Sequence, residues 1–278
     1  MQNVMTKCHL LALAVLLALA AAGCKGGEKG PSLSDYGSKS EASQNAQFEE
    51  YVRQLRALPL EEALARQEAM MQEAEADSAS WERITRLQDH FLQDPNSPWR
   101  SEELYIPVVS HLLTSPLASE RQKAFAKHLA PRIVLNRLGT PAGDFAFQFK
   151  NGRTSTLYET IDSRQPRLTL LFFSNPGCPN CKEITEALSN DPLIQERIDK
   201  GELLVVNIYP DEDLQEWLDY LPNYPQQWIC GHDPDGVLRS DTVYWVRAIP
   251  SLYLLDSEKR VLCKDATLEE ILVNCKER

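Results

Sequence analysis

Cys178 and Cys181, in the order Cys178-Pro179-Asn180-Cys181, are the pair whose type and spacing fit a chemical role best. A C-x-x-C at the start of a helix lets two thiols pass between dithiol and disulfide, exchanging two electrons with another thiol or disulfide. The flanking residues provide that setting. Leu168, Leu170, Leu171, Phe172 and Phe173 give an apolar run that predicts a buried strand. Ser174-Asn175-Pro176-Gly177 reads as a turn, and Ile184, Ala187 and Leu188 give the following helix an apolar face. On spacing alone two other readings stay open. One is a static cross-link; the other is half of a zinc site, although no second C-x-x-C and no paired histidine accompanies it.

The elements that must hold this pair run from about Gly139 to the C-terminus. Phe145, Phe147 and Phe149 alternate with Ala146, Gln148 and Lys150 as in a strand, and Asn151-Gly152 signals a hairpin. Thr154 to Thr156 is the returning strand, and Leu157 to Ile161 a short helical turn. Leu203 to Ile208 predicts a second buried strand. Asp211 to Tyr220 predicts a helix with Leu214, Trp217 and Leu218 on one face, and Trp228 to Cys230 a short extended piece. Ile249 to Leu255 and Arg260 to Lys264 read as a hairpin, and Thr267 caps a last helix carrying Cys275 on its apolar face.

Residues 46–138 are patterned differently. Phe48, Tyr51, Val52 and Leu55 open a helical periodicity, and a second set runs from Leu60 to Met70. A third runs from Trp81 to Leu92, a fourth from Leu104 to Leu113, and a fifth from Ala124 to Leu138 with Gly139 as its stop. Pro107 and Pro131 are expected to kink or split the last two. His90, His111 and His128 form no H-x-x-x-H pair, so no metal site is read here, and Trp81, Phe91, Trp99 and Tyr105 read as helix packing.

The first 24 residues read as a targeting segment. Lys7 precedes an apolar run, Leu10 to Ala22, that is short for a membrane span, and the segment ends in Ala20-Ala21-Ala22-Gly23-Cys24. It resembles the bacterial lipoprotein signal, which implies cleavage before Cys24 and acylation of that residue. An ordinary secretory signal is the alternative. Residues 25–45, rich in Gly, Ser and Lys, read as a flexible tether. The expected location is the cell envelope, facing the periplasm. Lys25 after the cysteine favours the outer membrane over the inner. In such an oxidising compartment paired thiols matter. The chain has seven cysteines; Cys8 leaves with the signal, and Cys230, Cys263 and Cys275 read as buried thiols, with a Cys263–Cys275 disulfide as the alternative. A net charge of −11 over 278 residues, with no basic run, argues against nucleic-acid binding.

The C-terminal order of strands and helices resembles the thioredoxin fold, specifically at Cys178-Pro179-Asn180-Cys181 and at Ile249-Pro250. The resemblance implies an α/β, thioredoxin-like domain over 139–278 behind an all-helical domain, with Pro250 in a cis-proline loop against the sulfurs. The first hairpin and the inserted helix are similar to the membrane-tethered, periplasm-facing branch of that family, which includes the thiol–disulfide oxidoreductases of cytochrome maturation. The stretches PNSPWRSEELYIPV, NRLGTPAGDFAF and RAIPSLYLLD resemble bacterial lipoproteins in which a helical domain of unknown function precedes such a domain.

The resulting expectation is a membrane-anchored thiol–disulfide oxidoreductase acting on exported proteins. Cys178, at the helix N-terminus, attacks; Cys181, in line with Ile184 and Leu188, resolves; no metal or other cofactor takes part. Ile249 and Pro250 offer a backbone edge to an extended substrate. Two residues depart from thioredoxin: Gly177 stands where a tryptophan is usual, and Phe172 where a buried acid is usual. The proton exchanged with Cys181 must then travel through Glu183 or water. A lipid-anchored binding or scaffold protein without turnover is the alternative, against which the intact dithiol argues. Peroxidase chemistry is weaker, since no P-x-x-x-T-x-x-C occurs.

Overall fold

The computed structural model describes residues 40–278. The signal segment, Cys24 and most of the tether lie outside the described residues. Among the described residues no helix is long and apolar enough to cross a membrane. The chain divides into two compact units, the first ending at Val134 and the second running from Leu135 to Arg278.

The first unit is helical: α1 (Glu41–Arg56), α2 (Leu60–Ala74), α3 (Ser78–Gln88), α4 (Glu102–Thr114) and α5 (Glu120–Ile133). Helix α1 begins five residues before the expected start of the helical region at Ala46 because the Ser40 hydroxyl accepts the Ser43 amide and caps it. Asp77, Ser101 and Ser119 cap α3, α4 and α5 in the same way. Helix α3 continues as one π-helical turn, Asp89–Gln93, before the Pro-rich stop. Pro107 and Pro131 split neither helix; both lie inside continuous elements. Each removes one backbone hydrogen bond, and in α4 the burial of every residue from Glu102 to Val109 outweighs that loss. Helix α5 ends at Ile133, short of the expected Leu138. The reason is that the residues beyond belong to the second unit: the Gly139 amide donates to Val261 at 2.8 Å, and Leu138 packs into that unit's core.

One buried charge cluster in this unit sets a pH dependence. His111 on α4 is only 11% exposed in its side chain; its Nδ1 meets Glu75 Oε1 at 2.9 Å and its Nε2 meets Glu68 Oε1 at 3.0 Å. Burial alone would lower the His111 pKa, but the hydrogen bonds to Glu68 and Glu75 more than offset it and raise the value. The His111 bond holds the Glu68 carboxyl below its usual range. A raised histidine contributes stability that is complete below about pH 6.5 and is lost as pH rises through the folded value. The lowered Glu68 contributes stability present above the ordinary carboxylate range and lost as pH falls. Thermal or urea unfolding should therefore show a decline above about pH 6.5 that the H111Q variant lacks. At pH 6 H111Q should cost roughly 1–3 kcal/mol. Parallel pH profiles for the two proteins would contradict this.

The second unit is a seven-stranded sheet in the order β2-β1-β5-β4-β3-β6-β7, flanked by helices. Its elements are β1 (Ala146–Gln148), β2 (Thr154–Thr156), α6 (Leu157–Arg164), β3 (Leu168–Phe173), α7 (Pro179–Asn190), α8 (Pro192–Asp199), β4 (Leu203–Tyr209), α9 (Leu214–Tyr220), β5 (Ile229–His232), β6 (Ser251–Asp256), β7 (Val261–Cys263) and α10 (Leu268–Glu277). Central β3 runs parallel to β4 and antiparallel to β6. Its alternating side chains feed two cores: Leu168, Leu170 and Phe172 face the layer of α7 and α10, while Leu171 and Phe173 face the layer of Phe147, Tyr244 and Tyr253. Gly152 turns the β1–β2 hairpin with φ +79°, a conformation glycine adopts without strain. The sequence reading missed α8; its signal is Asp191-Pro192, where the Asp191 carboxylate caps Leu193 and Ile194 and proline fits the first turn.

Candidate active site

The end of β3 and the start of α7 build the site. Ser174 leaves the sheet with its amide on Ile208 at 3.1 Å, and Asn175 shapes the turn by accepting the Gly177 amide at 2.9 Å. Asn175 Nδ2 is itself held by Asp211. Cys178 then caps α7, with Pro179 in the first turn where a missing N–H costs nothing. Its Sγ accepts the Cys181 amide at 3.1 Å, so an N–H of the helix start points at the half-buried sulfur. Gly177, Pro179 and Asn180 around it are exposed.

Cys181 faces inward, 3% exposed, within the core cluster that contains Phe172, Leu188 and Trp228. Burial, followed by the hydrogen bond with Cys178, drives its thiol pKa far above the ordinary range. One thiol is thus reachable with a helix amide aimed at it, and the other is buried and protonated. Both cysteines are free thiols.

Ile249-Pro250 lies across from the pair. The peptide bond between them is cis, and the Cys178 thiol donates to the Ile249 carbonyl at 3.8 Å. The structure therefore brings together Cys178, Cys181, Ile249 and Pro250 from segments about seventy residues apart. It does not bring Glu183 to Cys181. Glu183 is exposed and two residues along the helix, a spacing at which side chains do not share a face.

Behind the pair lies a buried polar column that sequence reasoning missed. Tyr224 Oη and Ser174 Oγ are 2.9 Å apart, and Asn207 Nδ2 donates to Ser174 Oγ at 2.6 Å. Asn207 sits beside Phe172 in the β3–β4 register, so neutral groups occupy the sheet floor where an acid would otherwise stand. Tyr224 joins Tyr220 edge-on, with ring centroids 5.2 Å apart. Burial above all raises the Tyr220 pKa, and this phenol packs against the core cluster that contains Cys181. Contacts spanning fifty residues between a loop tyrosine and a strand-end serine leave no local sequence signal.

The remaining cysteines take no part in this arrangement. Burial pushes the Cys230 and Cys263 thiols up to about 12 and Cys275 to about 11, so each stays protonated at neutral pH. All three are free. Among the described residues no group of three His, Cys, Asp or Glu is placed to hold a metal ion.

Residues 34–135 match the model of a domain of unknown function, DUF5106. Over nearly the full length the chain is similar to a thioredoxin-like protein from Bacteroides caccae, at 34% identity and a TM-score of 0.78, covering 88% of each chain. It is similar to the C-terminal domain of an uncharacterized protein from Bacteroides fragilis at 40% identity, covering 51% of this chain and 98% of that one with a TM-score of 0.48. The thioredoxin domain of a thiol-disulfide oxidoreductase from Bacteroides vulgatus matches at 18% identity and a TM-score of 0.43, over 51% of this chain and 96% of that one. No curated protein matches the chain.

Proposed function

Since the chain belongs to the thioredoxin-like family, we propose that it is a thiol–disulfide oxidoreductase working through the Cys178–Cys181 dithiol. One observation carries the reading: a half-exposed Cys178 sulfur receives a helix amide and faces the cis Ile249-Pro250 bond, with a buried second thiol one turn away. In the reducing direction the Cys178 thiolate attacks a substrate disulfide. A new S–S bond forms, and the substrate's other sulfur leaves as a thiolate and takes a proton. Cys181 then gives up its proton and attacks Cys178, releasing the second substrate thiol and leaving the Cys178–Cys181 disulfide. Two electrons have moved to the substrate. Oxidation is the reverse sequence, and no metal or organic cofactor enters either.

The substrates we propose are exported proteins carrying thiols or disulfides, met at the cell envelope with the chain tethered by an acylated Cys24. The signal-like stretch ending at Cys24 supports this location. Equilibration with glutathione buffers tests the redox reading. Alkylation and mass analysis should show one two-electron transition confined to Cys178 and Cys181, with a tenfold change in the oxidised-to-reduced ratio for every ~30 mV of poise. Cys230, Cys263 and Cys275 should remain unmodified in the folded protein. A dithiol that stays reduced at every poise would overturn the proposal.

A further inference from the structure

The loop that faces Cys178 is held from behind by a single buried carboxylate. Asp265 lies between β7 and α10; its Oδ2 takes Arg247 Nη2 at 2.6 Å, and its Oδ1 takes the Ser251 hydroxyl at 3.1 Å. The side chains of Arg247 and Asp265 are 6% and 10% exposed, so the pair is shielded from water. Arg247 precedes Pro250 by three residues and Ser251 follows it directly; one carboxylate therefore ties both stems of the turn containing Ile249 and Pro250. Two more contacts fix the assembly. The Arg247 guanidinium lies over the Trp245 ring, 5.2 Å from its centroid, and the Ala266 amide donates to Leu252 at 3.0 Å. On the other side of the turn, the Ile249 carbonyl is 3.8 Å from Cys178 Sγ.

We infer that Asp265 is a positioning residue of the site, holding the Ile249 main chain at the height and angle at which an extended disulfide substrate lies beside Cys178. This rests on the proposed thiol–disulfide exchange and adds what sets its preference for extended protein substrates. Asp265 touches neither sulfur in the structure. Its influence falls on substrate docking and leaves the intrinsic reactivity of Cys178 alone. A small disulfide that needs no backbone edge is indifferent to the brace; a polypeptide disulfide depends on it.

The test uses the full chain with two probes, insulin and oxidised glutathione. Asp265→Asn weakens both arms. Because it removes the charge that pairs with a shielded Arg247, it is accompanied by Ser251→Ala, which removes one hydrogen bond and leaves the ion pair whole. Both variants should raise the KM for insulin by about fivefold or more, with kcat and the glutathione rate within about twofold of wild type. Ser251→Thr, which keeps the hydroxyl, should restore the insulin KM. An unchanged insulin KM in folded Ser251→Ala and Asp265→Asn, or an equal loss on both probes, would overturn the positioning role. If wild type exchanges with neither probe, the thiol–disulfide reading itself fails, and this inference with it.

Discussion

Replacing Cys178 with serine should reduce disulfide exchange to the uncatalysed background, a loss on the order of 10³-fold or more. Replacing Cys181 with serine should instead leave the first step running and stall the second. The asymmetry follows from where the two sulfurs sit. Cys178 is half-buried, caps α7 and receives the Cys181 amide, so it is the thiol that a substrate disulfide can reach. Cys181 is 3% exposed, and burial keeps it protonated. It acts only on a disulfide delivered to it by Cys178. C181S should therefore accumulate mixed disulfides on Cys178, visible as a mass increase that thiols remove, whereas C178S should trap none. Trapping through Cys181 in C178S, or through half-buried Cys230 in either variant, would reverse the assigned roles. Circular dichroism on both variants checks that the change is chemical, since serine replaces sulfur at nearly equal volume.

How much of this was legible in the chain depends on the range of each interaction. The apolar run Leu168 to Phe173 lies buried as β3 with every residue inside, because a central strand covered on both faces must read as continuous hydrophobe. The Asn151-Gly152 turn was equally local, and Gly152 takes the positive φ such a turn requires. Periodicity failed where it had to choose a side without knowing the partner. The period puts Leu214 and Trp217 on one apolar face, yet Leu214 is 42% exposed while Trp217 is fully buried. Helix α8 hid because its eight residues bury a single side chain, Ile194. At the site, the C-x-x-C and the proline lie in short motifs. The Asp265 brace and the Tyr224–Ser174–Asn207 column join residues fourteen to fifty positions apart, and only the folded sheet brings them together.

Phe172 stands where the resemblance to thioredoxin implies a buried acid, and substituting an acid there should be severely destabilising. Phe172 is fully buried in β3 and packs edge-on against Trp228, with ring centroids 6.2 Å apart and planes at 73°. Phe172→Ala should cost roughly 3–5 kcal/mol through lost packing and the cavity left behind. Phe172→Asp carries that loss and also buries a carboxyl group, which adds roughly 1–3 kcal/mol even when protonated if its hydrogen bonds go unmet. The combined figure is comparable with the whole stability of an ordinary domain, about 5–15 kcal/mol. Asn207 lies beside Phe172 in the strand register, and its Nδ2 already donates to Ser174 at 2.6 Å. The sign of the pH dependence separates charge from packing. A carboxyl forced to stay neutral in the fold has a raised folded pKa, so its contribution is intact below about pH 3.9 and is lost as pH rises. Urea unfolding should therefore place F172D below F172A at pH 7 and bring the two closer near pH 4. If F172D were as stable as F172A at neutral pH, the Asn207–Ser174–Tyr224 column would have to reorganise to receive an acid, and the neutral floor beneath Cys181 would be a choice of chemistry rather than a requirement of packing.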